Sequence, residues 1–229
     1  MKTCSRLNYF AARIAGALIV SLAALSLHAE NADGFVPLFN GRNLDGWQGA
    51  TEVYAVEDGK LVCTKHGPGE KESTNKNLFT TKEYADFVLR FDFKLEPGAN
   101  NGVAVRSPLK GRIIEVGMEI QILDDYAEQY KNIQPHQYHG SIYLLAPAKR
   151  GHLKPAGQWN NEEIWFQGRR AKVTLNGVVI VDADLDNLEY KKYLDKNTGR
   201  TRPKGYIGFL GHGSRVEFRN IRIKELSIP

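Results

Sequence analysis

The chain has 229 residues, 42% of them hydrophobic, and a formal net charge of +5. That is enough to bury a sizeable core, and it suits one domain better than two. The basic excess forms no stripe that would fit nucleic acid.

Lys2, Arg6 and Arg13 precede the apolar run Ile14 to Leu27, which ends at Leu27-His28-Ala29. This order is that of a secretory signal peptide spanning residues 1–29. The run is shorter than the roughly 20 apolar residues of a membrane span, and no lipid-accepting cysteine follows it. Cleavage would remove three basic residues and no acidic ones, taking the formal charge from +5 to +2. The expected product is one secreted domain, residues 30–229, in the periplasm or cell envelope, without stable membrane insertion. Its sole thiol is Cys63, so no internal disulfide can form, and a buried, inert cysteine is expected.

The remaining chain reads as strands. Val53 to Val56 and Lys60 to Thr64 flank Asp58-Gly59, a two-residue hairpin signal. In Phe87 to Leu95, Phe87, Leu89, Phe91, Phe93 and Leu95 share one face, the period of a half-buried strand. Gly102 to Ser107 follows the turn at Pro97 to Asn101, and a further strand surrounds Glu119. Tyr138 to Tyr143 is another candidate strand. Lys172 to Leu175 and Val178 to Asp182 flank Asn176-Gly177, a type I′ turn pair. Tyr206 to Leu210 and Val216 to Leu226 form the last pair. Asp186 to Lys204 reads as an exposed loop insertion, with one short helical turn at Glu189 to Leu194. Many short antiparallel strands predict an all-β sandwich or jelly roll.

Alternation also places candidate chemistry. Met118, Ile120 and Ile122 belong to the core, so Glu119 and Gln121 project together from the opposite face. That face is either a solvated exterior or a groove, where a carboxylate beside an amide suits a polyhydroxylated ligand. On the neighbouring run, Gly102 and Ala104 would leave a floor with Arg106 at its end; a surface arginine with small neighbours is the alternative. His139, Ser141 and Tyr143 would share a face. Trp159 and Asn160, with Trp165 nearby, could stack on and hydrogen-bond a sugar, while Trp47 reads as structural. His212 stands between two glycines, as a turn residue would. His136 and His139 lie in a proline-containing loop and give little metal signal. There is no nucleotide-binding glycine loop and no Gly-x-Ser-x-Gly elbow.

Taken together and in order, these stretches resemble a known family. Phe35 to Trp47, Asn100 to Arg106, Met118 to Asp124, Gly140 to Tyr143, Gly157 to Asn160 and Gly211 to Lys224 are similar to motifs of the 3-keto-disaccharide hydrolase family. The resemblance implies a concanavalin A-like lectin/glucanase sandwich and a substrate already oxidised to a ketone at C3 of the sugar. Such a ketone acidifies the C2 hydrogen; removing it allows β-elimination of the C1 substituent, and water then adds to the glycal. On this resemblance Glu119 is the base or a metal ligand, Arg106 stabilises the C3 oxyanion, and His139 or His212 donates a proton. Gln121, Tyr143, Trp159 and Asn160 would bind substrate. No cofactor is certain; a divalent metal could assist Arg106. Laminarinase-type relatives of the fold carry two glutamates around an aspartate on one strand face. Here Gln121 stands beside Glu119, which argues against a paired-carboxylate mechanism. It leaves a non-catalytic, lectin-like carbohydrate-binding module as the alternative, and oligomeric state open.

Overall fold

A computed structural model describes residues 33–64, 76–188 and 195–227. The signal segment and the helical turn expected at Glu189 to Leu194 lie outside these residues. In chain order the strands are β1 (Val36–Pro37), β2 (Trp47–Gly49), β3 (Tyr54–Glu57), β4 (Lys60–Cys63), β5 (Asn77–Tyr84), β6 (Phe87–Leu95) and β7 (Asn100–Ser107). One helical turn, α1 (Ile113–Val116), precedes β8 (Met118–Leu123). Then come β9 (Trp159–Gln167), β10 (Arg170–Leu175), β11 (Val178–Asp184), β12 (Gly205–Leu210) and β13 (Val216–Glu225).

These strands form two antiparallel sheets. The larger runs β11-β10-β9-β6-β13-β4-β3, with β1 also on β13; the smaller runs β2-β5-β12-β7-β8. The architecture is the all-β antiparallel sandwich that the sequence predicts. Among the described residues no helix is long and apolar enough to cross a membrane.

The period-two pattern decides which side of each strand is buried. All five apolar residues of the β6 stripe are buried, while Arg90, Asp92 and Lys94 between them stay partly open. Phe91 and Phe218 of the larger sheet meet Phe209 of the smaller one, with ring centroids 6.0 and 4.2 Å from that of Phe209. Trp47 stacks on Phe209 at 5.7 Å and is structural, as expected. Cys63 is a buried free thiol.

Both two-residue hairpins take the left-handed backbone that their sequences require. Asp58 and Gly59 have φ of 48° and 75°, and Asn176 and Gly177 have φ of 49° and 86°. Asn176 Nδ2 also donates to His152 O and Asn160 Oδ1, each at 2.8 Å. Its Oδ1 accepts from Asn161 N at 3.0 Å, so Asn176→Ala should lower stability by about 1–3 kcal/mol, through a strained φ and three lost bonds. Thermal denaturation checks this, and an unchanged midpoint would refute it.

Two local departures matter for the site. First, β7 carries a bulge: Ala104 pairs with Gly208 and Ser107 with Tyr206, so Val105 and Arg106 oppose the single residue Ile207. Arg106 has φ of 47°, and the extra residue reverses the alternation there. Second, Tyr138 to Tyr143 is not a strand. Gly140 has φ of 76°, and the segment curls along the free edge of β8. Gly140 N donates to Gln121 O (2.7 Å), Gln121 N to Ser141 O (3.0 Å) and Tyr143 N to Glu119 O (2.8 Å).

Candidate active site

The outer face of the smaller sheet bears a cavity of ≈ 560 Å³. Its floor is β8, where Glu119 and Gln121 rise between core residues as alternation requires. Asn100 from β7 and Tyr143 from the curled segment close one side; Lys76, Asn77, Leu210, Gly211 and His212 close another. A lip from Gly111 to Ile114 forms the remaining wall.

Glu119 is the centre of the cavity. Its side chain is 8% exposed, and Oε1 lies 4.0 Å from His212 Nε2. Burial pushes its carboxyl up to about 8, because a desolvated carboxylate is disfavoured against its neutral form. Burial, and then the nearby Lys76 charge, lower the pKa of His212. Gln121 and Asn100 line the cavity, and their Oε1 and Oδ1 are buried without a hydrogen-bond partner in the protein. Tyr143 Oη accepts from Gln137 Nε2 at 2.9 Å, which leaves its own hydrogen available to a ligand.

The small residues of β7 have a definite purpose. A Cβ on Gly102 would stand 2.3 Å from Glu119 Oε1 and 2.9 Å from its Cγ and Cδ. Glycine therefore makes the space in which the carboxylate lies. Gly102→Ala should displace the carboxylate and cost about 100-fold in turnover with an unchanged circular dichroism spectrum. Full activity in the variant would show that the carboxylate position is not critical.

The cavity thus unites Glu119, Gln121, Tyr143 and His212 from the sequence expectations. Four others lie elsewhere. Arg106 does not reach the cavity, because the β7 bulge turns it away. Its guanidinium bonds Asp86 Oδ1 (2.8 Å), Gly168 O (2.7 Å) and Ala85 O (3.0 Å), and it lies over the Phe166 ring. His139 points inward, because Gly140 breaks the expected strand. It stacks on Phe93 at 5.0 Å, and its Nε2 is 3.1 Å from buried Glu162. Asn160 is also an interior residue; its Oδ1 accepts from Lys154 N (2.9 Å) and from Asn176. Trp159 is on the outside of the larger sheet, with the Arg219 guanidinium 3.9 Å and the Lys94 ammonium 5.2 Å from its ring centre.

Sequence reasoning missed Lys76, Asn100, Arg112 and the apolar lip residues Ile113 and Ile114. Asn100 shares the β7 face of Gly102, so alternation could have found it. Lys76, Arg112 and Ile113 lie beside or before strands, where period two gives no direction. Among the described residues no group of three or more His, Cys, Asp or Glu could hold a metal ion; Glu119 and His212 are the two of these types that line the cavity.

Comparison with known proteins bears on the family and the fold. A 3-keto-disaccharide hydrolase from Bacteroides thetaiotaomicron is 26% identical over 231 residues, covering 86% of this chain and 80% of the relative. A crystal structure of a candidate glycosyl hydrolase from Parabacteroides distasonis superposes with a TM-score of 0.72 at 33% identity, covering 84% of this chain and 99% of the other. A laminarinase from Flavobacterium sp. UMI-01 shares the fold alone, with a TM-score of 0.52 at 14% identity over 82% of this chain and 97% of its own. The family described as the 3-keto-alpha-glucoside-1,2-lyase-like domain matches residues 34–224. With that match spanning both sheets and the whole cavity, the chain belongs to the 3-keto-alpha-glucoside-1,2-lyase-like family.

Proposed function

We propose that the protein cleaves 3-keto-glycosides by elimination, with Glu119 as the base. The observation that carries this reading is the Glu119 carboxyl, buried on the cavity floor 4.0 Å from His212; burial pushes it up to about 8, which favours proton abstraction over an exposed glutamate. Ionised Glu119 removes the C2 proton of the oxidised sugar, and the electron pair becomes the enolate of the C3 ketone. Lys76, which lines the cavity, supplies positive charge for that oxygen in the role expected of Arg106. The C1–O bond then breaks. The proton taken from C2 passes to the departing oxygen, with His212 4.0 Å away in position to relay it. Addition of water across C1=C2, oxygen to C1 and hydrogen to C2, completes hydrolysis. Gln121 and Asn100, which line the cavity, bind sugar hydroxyls through their side-chain amides, and Tyr143 donates a further bond.

A desolvated carboxyl on the cavity floor beside His212 favours catalysis over a purely sugar-binding module. The missing second carboxylate on β8 sets ordinary retaining hydrolysis of unoxidised glucans apart in the same way. The apolar run ending at Ala29 belongs to this reading as an export signal, which would place the enzyme in the bacterial envelope.

The test is incubation with a 3-keto-disaccharide beside its unoxidised parent, with and without chelator. Sugar release from the ketone alone is expected. Equal cleavage of both, or of neither, would refute the elimination reading.

A further inference from the structure

The cavity has two unlike ends. Glu119, Gln121, Asn100 and His212 make one polar; at the other, Ile113 joins Phe79, Ala104 and Leu210 in a small buried apolar cluster, and Ile114 lines the wall beside it. Arg112 also lines this end, with its guanidinium held by Glu115 at 3.0 Å.

The apolar end is built on α1, a helical turn of four residues. So short a helix does not hold itself, and its last carbonyls have no partners within it. The loop expected to be an exposed insertion supplies them. Asn197, 4% exposed, donates through Nδ2 to Ile114 O (2.8 Å) and Gly117 O (3.0 Å). Its Oδ1 accepts from Arg200 N at 2.8 Å, which fixes the amide orientation. Thr198 donates to Glu115 O through its backbone N–H (2.7 Å) and its hydroxyl (3.1 Å). Gly199 packs so closely that an added Cβ would stand 2.2 Å from Gly117 O.

We infer that this wall receives the leaving group of the substrate, that the leaving group it fits is apolar and aryl-like rather than a second sugar, and that Asn197 is the positioning residue that holds the wall. This rests on the reading of the polar end as the 3-keto-sugar site. With the oxidised ring over Glu119, the rest of the glycoside meets Ile113, Ile114 and Leu210. These side chains offer dispersion contact and no hydrogen bonds to a sugar's hydroxyls, while the Arg112 plane can stack on an aromatic ring.

The test reads binding rather than turnover, so that it is decided separately from the elimination chemistry. Dissociation constants for phenyl and methyl 3-keto-glucosides and for a 3-keto-disaccharide are measured by calorimetry in Glu119→Gln protein. The phenyl compound should bind about tenfold more tightly than the methyl compound, and more tightly than the disaccharide. Adding Asn197→Ala should reduce the phenyl preference toward parity and leave methyl binding unchanged. Asn197→Asp, which keeps the acceptor for Arg200 but loses the donor, should behave as alanine does. Should these variants fail to fold, Thr198→Val should narrow the same preference. Tighter disaccharide binding, absence of a phenyl preference, or equal weakening of phenyl and methyl compounds would overturn the inference. Cleavage of no 3-keto-glycoside by the unaltered enzyme would defeat the elimination reading and leave this comparison standing.

Discussion

Glu119→Gln is expected to lose about 100- to 10,000-fold in turnover of 3-keto-glycosides and, at neutral pH, to gain stability. The amide keeps the shape of the side chain but cannot take the C2 proton. The stability gain follows from linkage. The folded protein holds the Glu119 proton up to about pH 8, whereas the unfolded chain releases it near the ordinary glutamate value of 4.5. Between those values the unfolded state binds fewer protons, so wild-type stability falls as pH rises through the window and levels off above it. The variant lacks this loss. The two proteins should unfold alike below pH 4.5, and the variant should lead by a few kcal/mol at pH 8, at roughly 1.36 kcal/mol per pKa unit. Wild-type activity should run the opposite way, with kcat/KM rising toward a plateau above about pH 8. A pH-independent difference in melting temperature would show that the carboxyl titrates normally and would remove the basis for its role.

The second large effect is structural. Arg106→Met should destabilise the fold by about 3–5 kcal/mol. Arg106 is 2% exposed and bonds three acceptors. Its removal leaves the half-buried Asp86 carboxylate with one remaining bond, from Gly168 N at 3.0 Å, and leaves two carbonyls without their donor. Arg106→Lys should recover little, because one ammonium cannot reproduce a planar fork aimed at three oxygens. Chemical denaturation measures the loss. The fraction that stays folded should keep its KM, since the guanidinium is outside the cavity. A raised KM in a fully stable variant would return Arg106 to the active site.

Arg106 also shows where sequence reasoning stops. Period-two alternation reads β6, β8 and the first half of β7 correctly, because burial on one face selects every second side chain. It fails at Arg106, the second residue of the bulge, since an inserted residue reverses the assignments that follow it. The same rule misplaces His139, where Gly140 turns the chain before a strand can form. Both hairpin turns were legible because Asp-Gly and Asn-Gly admit few other geometries. Asn160 and Trp159 resemble ligand contacts by type, yet one ties the Asn176 turn and the other carries cations on the opposite sheet. Polar and aromatic residues serve either purpose, and only tertiary placement separates them. The insertion at Asp186 to Lys204 reads as solvent-exposed from its charge, but Asn197 and Gly199 within it are buried against α1.

The curled segment beside β8 has a consequence for the solution behaviour of the protein. An outermost strand normally offers a row of amide and carbonyl groups onto which another chain can dock, the first step of fibril growth. Here Gly140, Ser141 and Tyr143 occupy those groups at Glu119 and Gln121. The strand that bears the carboxylate is thereby closed to intermolecular pairing, and substrate access is confined to its side-chain face.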